Sequence, residues 1–292
     1  MSLSTWDEIR TAFHVARMGT VSGAAEMLGV HHATVIRHID SLEAKLGVKL
    51  FQRHARGYTA TDAGTDRLQV AQATDDQFSQ LVGRIKGRGE DVSGELVVTS
   101  LTSTSPKLTP TLTRFQAKHP GLIVRYLTGD EVLRLEYGEA HVAVRAGSAP
   151  DNPDNVVQPF VTLDVALYAT QDYLDRKGKP ASVDDLAGHE FVSLDNLDSR
   201  APFNRWLMER VTPGQVVFRG TDERVLRDAI HAGVGIGFVS VWEAERFPGL
   251  IQLFEPEDSW SAPLWLVTHV DLHRTTKVQA FLSFLKEEAK SW

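Results

Sequence analysis

From residue 5 to residue 46 the apolar positions recur three and four residues apart in short bursts, which predicts three helices. In "STWDEIRTAFHVARMGT", Thr5 and Glu8 stand at capping-box spacing, Ile9, Phe13 and Ala16 share a face, and Gly19 stops the helix. "VSGAAEMLGV" predicts a second short helix, capped by Ser22 and ended by Gly29. A third begins near His32, where Val35, Ile39, Leu42 and Leu46 form a narrow apolar stripe. Three short helices with a tight glycine turn between the last two predict a helix-turn-helix. "LFQRHARGYTATDAG" (50–64) then gives two short extended pieces around Arg53, His54, Arg56 and Gly57, a hairpin with a basic tip. Such a wing is placed to touch backbone phosphate. Thr61 is positioned to cap a long helix whose Ala71, Phe78, Leu81 and Ile85 keep mostly three/four spacing, a seam for a partner helix.

After a hinge at "EDVSG" (90–94) the pattern changes. "ELVVTS", "LIVRYLTG" and "AHVAVRAG" read as strands, alternating with helices over "LTPTLTRFQAKHP" and "DEVLRLEYG". The alternation resumes from "DVALYAT" to "LWLVTH", and a helix at 274–290 closes the chain. Strands alternating with helices predict an α/β domain with a largely parallel sheet. The expected division is therefore 1–61 for the winged helix-turn-helix, 62–92 for the linker helix and hinge, and 93–292 for the α/β domain. "GVGIG" (233–237) is not a nucleotide loop: its spacing is wrong, and it leads into a strand instead of opening a helix.

A net charge of −7 argues against a nucleic-acid binder only as an average. Residues 1–92 hold 11 Lys/Arg against 11 Asp/Glu, so residues 93–292 carry the whole deficit. Within 31–56, Arg37, Lys45, Lys49, Arg53 and Arg56 face only Asp40 and Glu43, a net +3. With no cysteine there is no disulfide, cysteine nucleophile or iron–sulfur site. There is no G-x-S-x-G, H-E-x-x-H or P-loop, so neither catalytic residues nor a cofactor are expected. The first 20 residues carry Asp7, Glu8, Arg10 and Arg17 and no long apolar stretch, which points to a cytoplasmic protein with no membrane partner.

The positive segment coincides with "GVHHATVIRHI", where three histidines invite a metal reading. His31 and His38 share a face seven residues apart, but the four-apart pair with a nearby carboxylate is missing, so no metal is expected. A solvated helix with incidental histidines is one alternative. The other is a recognition helix: Ala33, Thr34, Arg37, Asp40 and Ser41 project away from the apolar stripe, and Arg37 suits guanine or phosphate.

"GTVSGAAEMLGVHHATVIRHIDSLEAKLGVKLFQRHARGYTATDAG" resembles the winged helix-turn-helix of the LysR-type transcriptional regulators, at Ala24-Ala25, Leu28, Val30, Arg37, Ile39, Leu42-Glu43, Leu46-Gly47, Leu50-Phe51, Arg53, Thr61 and Ala63-Gly64. His31, His32, Ala33 and Ile36 depart from the family pattern. "LTPTLTRFQAKHPGL", "YGEAHVAVRAG" and "DERVLRDAIHAGVGIGFVS" resemble the family's effector domain, and "VAVRAG", "YLDRKGKP" and "DLAGHEF" its CrgA-like subgroup, with His141 where aspartate is common. The resemblance implies two lobes like those of periplasmic binding proteins, lobe I at 93–163 and 268–292 and lobe II at 164–267, with an effector between them. It implies DNA contacts from His31, His32, Ala33, Thr34, Arg37, His38, Arg53 and Arg56. "SLTSTS" (100–105) offers hydroxyls and free N–H groups at a helix start, a cradle for a carboxylate. The family makes Ser100, Thr102, Ser103 and Thr104 first-lobe pocket residues, opposite Asn196, Thr221 and Asp222, with Arg145 as a charge. The implied partners are promoter DNA, a small anionic effector, further copies forming a dimer of dimers, and RNA polymerase. A solute-binding protein without DNA readout is the alternative for residues 93–292.

Overall fold

A computed structural model describes residues 6–54, 57–61, 63–64, 92–129, 132–196 and 199–292. Three helices open the chain: α1 (Trp6–Met18), α2 (Val21–Leu28) and α3 (His32–Leu46). Val35, Ile39 and Leu42 of the predicted stripe are buried against Ala12, Phe13, Val15 and Ala24. The second helix starts two residues earlier than a Ser22 cap implies. Its cap is Thr20, whose hydroxyl accepts from Gly23 N–H at 3.1 Å, because Ser22 already lies inside the helix.

Strands β1 (Phe51–His54) and β2 (Gly57–Ala60) make the expected hairpin, pairing Phe51 with Ala60 through His54 with Gly57. The wing docks back on the body through Tyr58 N–H to the Gly19 carbonyl at 2.9 Å. Gly57 is required there: its φ is +144°, and a Cβ would stand 2.2 Å from that same carbonyl oxygen. Thr61 acts as the expected cap, accepting from Gly64 N–H at 3.1 Å.

Strand β3 (Gly94–Ser100) leads through a 3₁₀ turn, Thr102–Thr104, into α4 (Ser105–Lys118). Pro106 in the first helical turn starts this helix earlier than "LTPTLTRFQAKHP" suggested. Then come β4 (Leu122–Thr128), β5 (Val142–Ala146) and β6 (Asn155–Leu163). Among its described residues "DEVLRLEYG" yields a 3₁₀ turn, Leu135–Tyr137, ended by Gly138 in the left-handed region, and not the predicted helix.

The next unit holds β7 (Val165–Ala169), α5 (Gln171–Lys177), β8 (Phe191–Leu194), α6 (Pro202–Met208), β9 (Val216–Gly220), α7 (Glu223–His231), β10 (Gly237–Ser240), α8 (Val241–Ala244) and β11 (Ile251–Gln252). Strand β12 (Ala262–His269), α9 (Val270–His273) and α10 (Thr276–Ala289) follow.

Two sheet systems result. The first has strand order β4-β3-β5-β12-β6; the second comprises β10-β7-β11 and β8-β9. The sheet is more mixed than expected: β3 runs parallel to β4 and β5, whereas β12 is antiparallel to β5 and β6, and β7 to β10 and β11. Strand β12 pairs with the first sheet from Ala262 onward, so the chain re-enters that sheet at Ala262, ahead of residue 268.

Period-two alternation sends Leu96 and Val98 to one face, with Leu108, Phe115 and Phe281. Val97 goes to the other, with Leu135 and Val267. His141 is buried against that sheet, its Nδ1 accepting from Val97 N–H at 2.8 Å, beside Lys277, whose ammonium bonds the Glu95 carbonyl. This histidine ties strands together.

Candidate nucleic-acid interface and interlobe site

The polar face of α3 is sorted by its neighbours. His31 caps the helix, its Nδ1 accepting from Ala33 N–H at 3.4 Å, so one ring nitrogen is turned inward. His32, Ala33 and Arg37 are exposed and Thr34 is half-buried. Arg37 takes part in no hydrogen bond or ion pair among the described residues. It stands outward on the recognition helix, as a base- or phosphate-reading arginine must.

Three other polar residues of this segment are engaged with neighbouring elements. His38 Nδ1 meets the Thr11 hydroxyl at 2.9 Å, and Ser41 donates to the Glu8 carboxylate at 2.8 Å, so both bind α3 to α1. Arg53 bonds Asp40 and lies 5.3 Å from the Tyr58 ring centre, tying the wing to α3. His38 and Arg53 thus also hold the reading head together, a role the sequence did not show. Arg56 and the seam residues Ala71, Phe78, Leu81 and Ile85 lie outside the described residues.

Two buried carboxylates, read in the sequence as a family-pattern residue (Glu43) and a capping-box residue (Glu8), organise this domain. Glu43 accepts from Leu50 N–H at 2.9 Å, from Phe51 N–H at 3.3 Å and from Lys49 at 2.6 Å. Burial pushes its carboxyl up, but Lys49 and the two amides outweigh that and hold it below the usual range. Glu8 is governed the same way: burial raises it, and Lys45 and Ser41 bring it down further. The run Leu42-Glu43 carried the signal for Glu43 as part of the family pattern.

In the α/β domain the "SLTSTS" stretch forms the start of α4. Ser100 and Thr104 are buried and share a hydroxyl cluster with Tyr126: Thr104 Oγ1 to Ser100 Oγ is 2.7 Å, and Ser100 Oγ to Tyr126 Oη is 2.6 Å. Thr102 is half-buried. Ser103 is 5% exposed, and its backbone N–H donates to Glu223 Oε2 across the lobes at 3.0 Å. Ser240 Oγ donates to the Ser103 carbonyl at 3.4 Å, and Lys107 bonds Glu245 at 3.1 Å, so lobe II touches this turn at several points.

The expected residues of the opposite rim have different surroundings. Asp222 caps α7, accepting from Arg224 N–H, and the Arg224 guanidinium drives its carboxyl down to about 2. The carboxylate on the cradle is its neighbour Glu223, in the first turn of α7. Thr221 and Asn196 are exposed. Arg145 donates to the Leu133 carbonyl at 2.6 Å, and its Nε is buried without a partner among the described residues. Burial lowers its pKa, partly countered by Glu136. No described contact joins Arg145 to the Ser103 turn.

Residues 6–65 match the family of bacterial regulatory helix-turn-helix proteins, lysR family, and residues 89–290 match the LysR substrate binding domain. The chain belongs to the LysR family of transcriptional regulators. It is 26% identical to the regulator CrgA of Neisseria meningitidis, over 97% of this chain and 96% of CrgA. Over 98% of its length it is 25% identical to the probable regulator LtrA of Klebsiella pneumoniae, 96% of which is covered. The solved CrgA structure superimposes with a TM-score of 0.59 at 24% identity, covering 97% of this chain and 98% of that one. Full-length LysG of Corynebacterium glutamicum, solved with bound effector Arg, gives a TM-score of 0.67 at 18% identity, covering 98% of both chains. As a LysR-type regulator the protein couples a DNA-binding head to an effector-binding domain, and its chemistry is recognition and not turnover. Among the described residues no helix is long and apolar enough to cross a membrane.

Proposed function

We propose that this regulator reads an interrupted palindrome in promoter DNA through paired recognition helices led by His32, Ala33, Thr34 and Arg37, under the control of a small carboxylate metabolite bound between its lobes. The observation that carries the ligand class is the Ser103 turn, where a backbone N–H at a helix start donates to a carboxylate that reaches across from the other lobe. A free carboxylate meets the same donor. LysG binds an amino acid, a ligand that brings such a group. The linker seam at Ala71, Phe78, Leu81 and Ile85 supplies the dimer, the effector domains join dimers into a tetramer, and RNA polymerase is the downstream partner. The spacing of the seam residues and the family resemblance support that assembly. The effector acts by its differential affinity for two arrangements of the heads.

Selection of bound duplexes from a random library by the full-length protein tests the DNA half. The expected result is half-sites about one helical turn apart. Arg37→Ala should cost roughly 1–3 kcal/mol of discrimination at one base position. A fall in salt dependence with discrimination intact would make Arg37 a phosphate contact. A thermal-shift screen of small carboxylates against the matching amines tests the ligand half, and stabilisation by amines alone would overturn it.

A further inference from the structure

The donors at the start of α4 are unusual in what satisfies them. No side chain caps this helix start: neither Leu101 before the 3₁₀ turn nor Thr104 before α4 makes a side-chain cap bond. The Ser103 N–H is met instead by a carboxylate 120 residues further along the chain, on the other lobe. Beside it the Ser103 hydroxyl is buried with no partner among the described residues. One carboxylate thus satisfies one of two adjacent donors and leaves the other open, a costly arrangement in a buried site. Glu223 also has a second place to go. It is the first residue of α7, so its carboxylate is stabilised by the N-terminal end of its own helix when it leaves Ser103.

We propose that Glu223 is a built-in stand-in for the effector's carboxylate: it closes the lobes over the Ser103 turn in the empty protein and is expelled when the ligand's carboxylate takes that place. This rests on the reading that the interlobe site takes an anion, and it adds what the ligand must displace. A ligand carboxylate has two oxygens for the two donors, Ser103 N–H and Ser103 Oγ, and so replaces the internal group by satisfying both. The released Glu223 returns to the α7 terminus, which converts ligand binding into a changed contact between α7 and α4. Ser240 and the Lys107–Glu245 pair remain as further interlobe ties.

Hydrogen–deuterium exchange on the full-length protein, read at residues 101–107, tests this without a known effector. Acetate is the probe, with chloride at matched ionic strength as control. Glu223→Ala should raise exchange of this segment roughly tenfold, the loss of one charge-assisted bond. Millimolar acetate should restore slow exchange in Glu223→Ala and leave the unaltered protein unchanged. Glu223→Gln, which keeps the shape and removes the charge, should fall between the two. Unchanged exchange in both variants would overturn the contact. Faster exchange that acetate fails to reverse would overturn the stand-in role and leave Glu223 a plain interlobe tie. Exchange within β7 reports whether the lobe is still folded. The outcome is separate from the carboxylate screen: amine-only stabilisation there sinks the ligand class, whereas failure here sinks only the displacement.

Discussion

Glu43 shows how much a single buried side chain sets. Its carboxylate gathers the amides of Leu50 and Phe51, which open the wing, and the ammonium of Lys49. Removing it leaves two buried N–H groups without an acceptor. Glu43→Ala should therefore cost about 1–3 kcal/mol in the stability of the DNA-binding head, read by denaturant unfolding followed at the 35–51 segment. Glu43 and Glu8 both have carboxyls lowered in the folded state. Their contribution is full above the ordinary glutamate value of 4.5 and is lost as pH falls through the lowered folded values. The head should thus lose stability on acidification below about pH 4.5, and Glu43→Gln should flatten that dependence. A head equally stable at pH 7 and in acid would contradict both assignments.

At the scale of elements, α3 and the wing act as one piece because Arg53 bonds Asp40 and packs on Tyr58. Asp40→Ala and Arg53→Ala break the same tie. They should weaken DNA binding to a similar degree, and the double variant should add little to either. Additive losses in binding titrations would mean that Arg53 contacts DNA on its own. The stripe Val35–Ile39–Leu42 was legible because helical period alone places it on one face. The inward turn of His38 and Ser41 was not, since it depends on what α1 brings opposite them. "NVVQPFVTL" escaped notice as a strand because it alternates poorly and contains Pro159. That residue is tolerated because β6 lies at the sheet edge, pairing among the described residues with β12 alone.

Across the whole molecule the two lobes are joined by more than their connecting strands. Trp242 follows the last residue of β10 by two positions, yet it packs in the core of the first sheet, 5.5 Å from the Trp292 ring. Trp242→Ala should cost about 3–5 kcal/mol, seen as a lowered melting temperature of the full chain. A loss under about 1 kcal/mol would show that this ring does not hold the lobes together. Apolar period and glycine punctuation along the chain were enough to define three helices, a wing and a following α/β region, because each depends on neighbours within a few residues. The resemblance of the helix-turn-helix run named the family for the same reason: its motif is contiguous. Folding decided which polar groups remain outward and which are consumed. Arg37 and Arg53 are equivalent in sequence, but only Arg53 finds Asp40. Asp222 and Glu223 are adjacent carboxylates, yet one caps its own helix and the other reaches Ser103. Such choices rest on contacts between residues far apart in the chain, which local spacing does not encode.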